Sequence, residues 1–355
     1  MLFMKLKEIL TGIIPLNGSF DTETEIKDIV YDSRNEKVGS DILFVCLSGF
    51  QSDGHSYAKS VYDKGVRVFA AQKPLELPED ATVIYVENTR KFLALASANL
   101  FGNPTREIFT IGVTGTKGKT STCYMIKSIF EAYGKKVGIM GTIGIFYGDT
   151  YEFLGLNTPE SYDIHKHTRG MVDAGCDVMI MEASSQGFLL NRTYGIIYDV
   201  GVFTNLSPDH IGASEHKDFD DYINCKKLLF RQSRIGFTNK DNEYYEHIID
   251  DADCPVKTFS VINEADYRAV EPIFSSDESN LKTEFTCIEK TPSNDNIKTK
   301  IELNTPGYFS LYNAVAAIAV ARNCGIPYIA VKDGLKKAFI KGRMEIVPIY
   351  QPFTV

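Results

Sequence analysis

The sequence predicts an α/β protein: a small N-terminal α/β domain, then a doubly wound, mostly parallel-sheet domain built on a phosphate-binding loop and carrying a small antiparallel β insertion. Three observations lead there. The run Ile108 to Phe130 reads as an apolar β-branched strand, a glycine-punctuated turn and a helix with apolar spacing. A further run, Cys176 to Met181, is nearly all apolar, as a strand buried on both faces of a parallel sheet should be, and Asp199 to Leu206 reads as another buried strand. Helical patterns alternate with these strands, and right-handed crossovers then wind the chain on both sides of one sheet.

The turn after Val113 reads TGTKGKTS. Gly115 and Gly118 let the backbone turn its N–H groups inward, and the helix that follows adds the positive end of its dipole, so the loop can cradle phosphates. Within the stretch Gly115, Thr116, Lys117, Gly118, Lys119, Thr120 and Ser121, the ammonium of Lys119 would reach the β- and γ-phosphates. The hydroxyl of Thr120 would ligate Mg²⁺. The strict pattern fails at one position, because its first glycine should stand at Val113 and the nearest, Gly112, is one residue early.

Composition narrows the function. At 355 residues the chain is expected to hold two or three domains. A 44% hydrophobic and 24% charged composition is that of an ordinary globular protein. The net charge of −8 argues against a nucleic-acid partner but not against a phosphorylated ligand. Seven cysteines, scattered, odd in number and without a C-x-x-C pair, read as reduced thiols of a cytoplasmic protein. No run approaches the ~20 apolar residues of a membrane span, and the N-terminus lacks a signal pattern, so no membrane association is expected.

In chain order, residues 1–92 form the first domain. It has short strands at Ile29-Val30-Tyr31, Leu43-Phe44-Val45, Val66 to Ala70 and Val83 to Val86, and a helix from Tyr57 to Lys64. Its distinctive polar pieces are Asp32-Ser33-Arg34 and the turn Ser48 to His55. Arg90 to Leu100 reads as a helix, and Gly102-Asn103-Pro104 breaks the chain. The domain spanning residues 93–345 follows. After the phosphate-loop helix, capped by Gly134, come the strand Lys136 to Met140 with Gly141-Thr142 behind it, and the turn Asn157 to Ser161 opening a helix to Gly175. The buried strand from Cys176 then delivers Glu182, beside the place where nucleotides collect in open α/β sheets. Asp199 to Leu206 ends in Ser207-Pro208-Asp209-His210, and a helix from Asp218 to Gln232 carries Lys226 and Lys227. Lys257 to Val261 continues the sheet. Glu271 to Phe274, Thr283 to Ile288 and Lys298 to Leu303 read as the antiparallel insertion, before the helices Phe309 to Cys324 and Tyr328 to Phe339. A strand-like run from Ile346 to Tyr350 contains Pro348, which suits only an edge.

Glu182 and His210, each at the end of a separate buried strand, would converge with the phosphate loop as potential metal ligands. Lys226, with Leu229 and Phe230 near it, is a candidate for burial, which would lower its pKa and make its amine reactive.

The ordered segments TGTKGKTS, MEASS, FTNLSPDH, YINCKKLLF, FSLYNAVAAIAVAR and GRMEIV, with YDSR near the start, resemble the Mur ligases, specifically the MurE type. The resemblance runs from residue 25 to 350. It implies an ATP- and Mg²⁺-dependent amide ligase that works through an acyl-phosphate. The enzyme would add a third amino acid, diaminopimelate or lysine, to UDP-N-acetylmuramoyl-L-alanyl-D-glutamate in peptidoglycan precursor synthesis, as a cytoplasmic monomer. By the same resemblance Lys119, Lys226 and His210 are catalytic, and a carbamoylated Lys226 joins Thr120, Glu182 and His210 as metal ligands. The family's Y-x-x-x-K-x-x-L-F spacing selects Lys226 over Lys227. Asn313 and Arg343 match positions near the nucleotide, and Ser33, Asn157, Thr158, Ser185 and Arg192 match positions that touch the UDP-sugar dipeptide, which would lie between the first domain and the sheet edge.

The sequence departs from the family pattern at Lys117 (usually Asn), Gln186 (usually His) and Asp209 to His216 (usually D-H-L-D-x-H-G). Residues 346–355 would open a third, amino-acid-binding domain that the sequence does not contain, so the 355-residue chain alone is expected to be inactive. Two other readings stay open: a paralogue or a nucleotide- and UDP-sugar-binding protein without ligase turnover, and a phosphate-loop ATPase or kinase, against which the DSR, NTPES and NR elements argue.

Overall fold

The computed structural model describes residues 3–18, 20–49, 52–209, 211–212, 215–276, 281–293 and 295–340. The chain divides into two compact units. The first comprises Met1–Glu107, Pro159–Gly170 and Gly187–Ile196, and the second Ile108–Thr158, Met171–Gln186 and Ile197–Val355. No helix among the described residues is long and apolar enough to cross a membrane.

In the first unit, β1 (Met4–Lys5) pairs antiparallel with β2 (Glu25–Ile26), next to the short helix α1 (Leu6–Ile9). The strands β3 (Asp28–Val30), β4 (Ile42–Val45), β5 (Val68–Ala71) and β6 (Thr82–Tyr85) form a parallel sheet in that order, with α2 (Ala58–Asp63) between β4 and β5. Every residue of β4 and β5 is buried, which explains why these strands read as uninterrupted apolar runs. The helix α3 (Thr89–Leu100) is capped by Asn88, whose side chain accepts from the N–H groups of Arg90 and Lys91. It buries Phe92, Leu93 and Ala96 in the same core as Leu43, Val45 and Ile84, so the compact unit runs past residue 92 to Glu107.

The second unit is organised by one sheet. Its strands are β7 (Phe109–Thr114), β8 (Val137–Gly141), β9 (Gly144–Tyr147), β10 (Thr150–Glu152), β11 (Val178–Glu182), β12 (Val200–Phe203), β13 (Gly236–Asn239), β14 (Val256–Ser260), β15 (Tyr267–Ser276), β16 (Leu281–Glu289) and β17 (Ile297–Leu303). The spatial order is β10-β9-β8-β11-β7-β12-β13-β14-β15-β16-β17. From β8 to β15 the neighbours run parallel. The antiparallel region expected after Tyr267 is present with longer strands, and it is joined to the parallel sheet through the β14–β15 pair rather than standing apart. The hairpin β9–β10 was not expected, because Gly144 to Glu152 carries no clean alternation of apolar and polar residues.

Helices lie on both faces. The chain also includes α4 (Lys119–Ala132), α5 (Ser161–Asp173), α6 (Ser185–Leu189), α7 (Phe219–Arg231), α8 (Tyr245–Ile249), α9 (Tyr308–Asn323) and α10 (Tyr328–Lys337). Cys123, Ile126, Ile129 and Phe130 of α4 share a core with Ile111, Val113, Ile139 and Ile180 of the strands and with α9 and α10. Ala314 through Ala321 are wholly buried, which the small alanines of α9 permit. On the other face Leu229 of α7 lies over Gly112 of β7. The strand order reverses around β7, so a crevice opens beyond the carboxyl ends of β11, β7 and β12, the usual ligand position in such sheets.

Candidate functional site

Three strand ends deliver the site. β7 runs into the phosphate loop, β11 ends in Glu182 opposite Val113, and β12 pairs Phe203 with Thr114 before leading into Thr204 and Asn205. Gly118 takes φ +84° at the entry to α4, a left-handed conformation that disfavours a side chain, and a Cβ there would sit 2.5 Å from Asn313 Oδ1. Gly115, at φ +148°, would drive a Cβ into the hydroxyl of Thr204.

The loop backbone is clamped from β12. Lys117 N donates to Asn205 Oδ1 at 2.9 Å, and Asn205 Nδ2 and Thr204 Oγ1 both donate to Lys117 O, at 2.9 and 2.7 Å. The side chain of Lys117 is exposed, so the departure from the family's Asn leaves this backbone clamp intact. Lys119 Nζ folds back onto the loop and donates to the carbonyls of Gly115 and Thr116, at 2.8 and 3.1 Å. Thr116 Oγ1 lies 3.0 Å from the hydroxyl of Tyr222 on α7.

Glu182 is 2% exposed. Its Oε1 accepts from Thr120 Oγ1 at 2.9 Å and from Thr142 N at 2.8 Å, while Oε2 accepts from Thr142 Oγ1 at 3.0 Å. Among the described residues no lysine or arginine pairs with this buried carboxylate, an arrangement that suits a divalent cation held by hard oxygen atoms. Thr142 Oγ1 also reaches Asn157 Oδ1 at 3.1 Å. Glu182, Thr142, Asn157 and residues 116–121 line a cavity of about 420 Å³. A neighbouring cavity of about 520 Å³ is lined by Lys117, Gly118, Ser121, Asn205, Asn239 and Asn313, with Phe309 and Tyr312 among its apolar walls. Asn313 Oδ1 accepts from Thr122 Oγ1 at 3.2 Å.

Lys226 is the buried lysine of α7, at 1% exposure, while Lys227 pairs with Asp251 at 3.3 Å. The Lys226 ammonium lies 4.5 Å from the centroid of the Tyr222 ring. Burial, then the nearby charge of Lys119, pushes its pKa well below the usual lysine value, so the neutral amine is favoured. Burial also pushes the Tyr222 phenol up to about 12.

Of the remaining expected residues, Asn157, Thr158 and Ser185 belong to the second unit and Ser33 and Arg192 to the first. Thr158 is buried, and its hydroxyl donates to Glu182 O at 2.8 Å and accepts from Ser184 N at 2.9 Å, which fixes the end of β11. Ser185 is buried at the start of α6. In the first unit Ser33 lines a cavity of about 420 Å³ with Tyr31, Asp32 and Arg34. Arg192 pairs with Glu160 at 2.9 Å, and Arg90 approaches the other oxygen of Glu160 at 3.4 Å while donating to Ser48 O. His210 and Arg343 lie outside the described residues, as do residues 346–355 and the strand expected there.

The sequence reading gave no role to Thr142, Asn205, Tyr222 or Arg90. Thr142 carried a usable signal, because a hydroxyl directly after a buried parallel strand faces the same crevice as Glu182.

The family description "Mur ligase middle domain" matches residues 113–321, and "Mur ligase family, catalytic domain" matches residues 25–100. The chain is 37% identical over 349 residues to a UDP-N-acetylmuramoyl-L-alanyl-D-glutamate–2,6-diaminopimelate ligase of Clostridium perfringens, covering 97% of this chain and 69% of the relative. It is 39% identical over 350 residues to the protein of the same name from Clostridium tetani, with the same coverage. A solved structure of a ligase of that name superposes with a TM-score of 0.81 at 20% identity, over 98% of this chain and 69% of the other. Matches of this extent, on a site with this geometry, place the chain in the Mur ligase family.

Proposed function

We propose that this chain is an ATP-dependent ligase that forms the amide bond between UDP-N-acetylmuramoyl-L-alanyl-D-glutamate and 2,6-diaminopimelate in peptidoglycan precursor synthesis. The support for the substrates is the shared name of its relatives. The observation that carries the chemistry is the buried Glu182 carboxylate bound to the phosphate-loop hydroxyl of Thr120. The reduced, unpaired cysteines support a cytoplasmic setting.

In this reading ATP lays its phosphates along residues 115–121, and its nucleoside fills the cavity walled by Asn313 and Tyr312. Lys119 exchanges its contacts with Gly115 O and Thr116 O for phosphate oxygens, a swap of neutral acceptors for charged ones. Thr120, Glu182, His210 and a carbamoylated Lys226 would hold Mg²⁺, which when bound would offset the negative charge of the reacting phosphates. Carbamoylation joins the neutral Lys226 amine to the carbon of CO₂ and releases one proton, and burial of Lys226 supplies that neutral form.

The side-chain carboxylate of the D-glutamate attacks the γ-phosphorus and ADP leaves. The amine of the incoming amino acid then attacks the acyl carbon, phosphate leaves with the bonding pair of its bridging oxygen, and the nitrogen gives up a proton. Positioning and charge stabilisation supply most of the rate in such transfers. Ser33, Asn157, Ser185 and Arg192 are the substrate contacts in this reading, with Arg343 on the nucleotide, while Thr158, whose hydroxyl is bonded to Glu182 O and Ser184 N, acts by holding the end of β11. Arg90 joins them by holding Glu160, the partner of Arg192.

Thermal melting tests the substrate assignment. UDP-N-acetylmuramoyl-L-alanyl-D-glutamate at a hundred times its Kd should stabilise the chain by about 2.7 kcal/mol. No shift at millimolar concentration, with ATP binding intact, would point to a paralogue with another acceptor.

A further inference from the structure

We propose that His216, Asp221 and Cys225 form a second metal site, one for Zn²⁺, separate from the oxygen-lined Mg²⁺ position at Glu182. One donor atom from each of the three residues lies within 4.8 Å of the other two. Asp221 and Cys225 stand four residues apart on α7 and therefore share a face of the helix. His216 closes over that face from the segment before the helix, which is held in place by the bond from Gly212 N to His216 O at 3.1 Å.

The burial and bonding of these groups point to a ligand. His216 and Cys225 are buried, whereas the Asp221 side chain is 23% exposed. His216 Nδ1 lies 2.9 Å from Asp221 Oδ2, and its Nε2 is buried without a hydrogen-bond partner among the described residues. Cys225 is a buried free cysteine. An imidazole nitrogen, a thiolate sulfur and a carboxylate oxygen make the mixed, borderline-soft donor set that zinc takes in preference to magnesium. The three protein ligands leave a fourth position for water on the exposed side of Asp221. Binding replaces the sulfur–hydrogen bond of Cys225 with a sulfur–metal bond and releases that proton to solvent.

Such a site would tie the segment before α7 to the helix that presents Lys226 at the position after Cys225. The proposal concerns a soft-metal site and does not depend on the ligase reading. Its optical signature needs a thiolate, which none of the Mg²⁺ ligands can supply.

The probe is Co²⁺, which takes zinc positions and reports its ligands by colour. The metal-free chain, titrated with cobalt chloride in the presence of excess Mg²⁺, should develop a thiolate-to-cobalt charge-transfer band in the near ultraviolet. The band should saturate at one equivalent and disappear when Zn²⁺ is added. Cys225→Ser, which keeps the shape of the side chain, and His216→Ala should each abolish the band, while Cys254→Ser should leave it. A titration without a charge-transfer band, or a band that survives Cys225→Ser, would overturn the proposal and leave the cluster as a histidine–aspartate pair beside a buried thiol.

Discussion

Thr120 Oγ1 donates a hydrogen bond to Glu182 Oε1 at 2.9 Å, joining the first turn of the phosphate-loop helix to the end of the neighbouring strand β11. The two residues are far apart in sequence and meet because β11 pairs in parallel with β7. Glu182→Gln keeps the shape and one oxygen acceptor but removes the charge. We expect a melting temperature close to that of the unaltered chain and a Mg²⁺ affinity in the presence of ATP weakened by roughly 10- to 100-fold in calorimetry. Unchanged Mg²⁺ affinity would remove Glu182 from the cation site.

Lys119 donates to two loop carbonyls, and losing those bonds should cost about 1–3 kcal/mol of stability without unfolding the chain. Charge-assisted hydrogen bonds are worth about 1.5–3 kcal/mol each. Lys119→Ala should therefore weaken ATP binding by roughly 10- to 100-fold in calorimetry. Unchanged affinity in the presence of Mg²⁺ would show that this loop is not the nucleotide site.

Burial lowers the Lys226 pKa from its ordinary value of 10.5. Between the lowered folded value and 10.5 the unfolded chain binds more protons than the folded one, so the stability cost of this lysine is complete below that window and fades as pH rises toward 10.5. In CO₂-free buffer Lys226→Met should be more stable than the unaltered chain at neutral pH, and the two should converge toward that alkaline limit. Equal stability at pH 7 would mean that the ammonium is solvated after all.

Gly118→Ala tests the loop geometry. A left-handed non-glycine residue costs about 1–2 kcal/mol, and here the new methyl also meets Asn313 Oδ1 at 2.5 Å. The melting temperature should fall by several degrees, at about 2–4 °C per kcal/mol for a domain of this size. Adding Asn313→Ala, which removes the Oδ1 atom without placing a glycine inside α9, should recover the part due to the collision but not the part due to φ. Full recovery would mean that the left-handed backbone carries no cost.

Local chemistry made some features legible from sequence. The phosphate loop announces itself through Gly115, Gly118 and Lys119, and the buried parallel strands through their unbroken apolar runs. Glu182 was findable because it ends such a run. Other contacts depend on which strands become neighbours, and no local pattern encodes that. Asn205 clamps Lys117 across 88 positions of sequence. Arg90 meets Glu160 across 70. The hairpin β9–β10 escaped for a different reason: Gly144 to Glu152 mixes apolar, glycine and charged residues without period, and the pairing of β9 with β8 decides its conformation.

The central claim is that this chain passes the γ-phosphoryl of ATP to a carboxylate. Positional isotope exchange tests it without requiring the amide to form. ATP labelled with ¹⁸O in the β,γ-bridge is incubated with the chain, Mg²⁺ and UDP-N-acetylmuramoyl-L-alanyl-D-glutamate, with no amino acid present. Reversible acyl-phosphate formation lets the β-phosphate of bound ADP rotate before ATP is re-formed. The label should therefore move into β-nonbridging positions, only when the dipeptide precursor is present, and the movement should stop in Lys119→Ala. Label that stays in the bridge while ATP and precursor are both bound would contradict the claim.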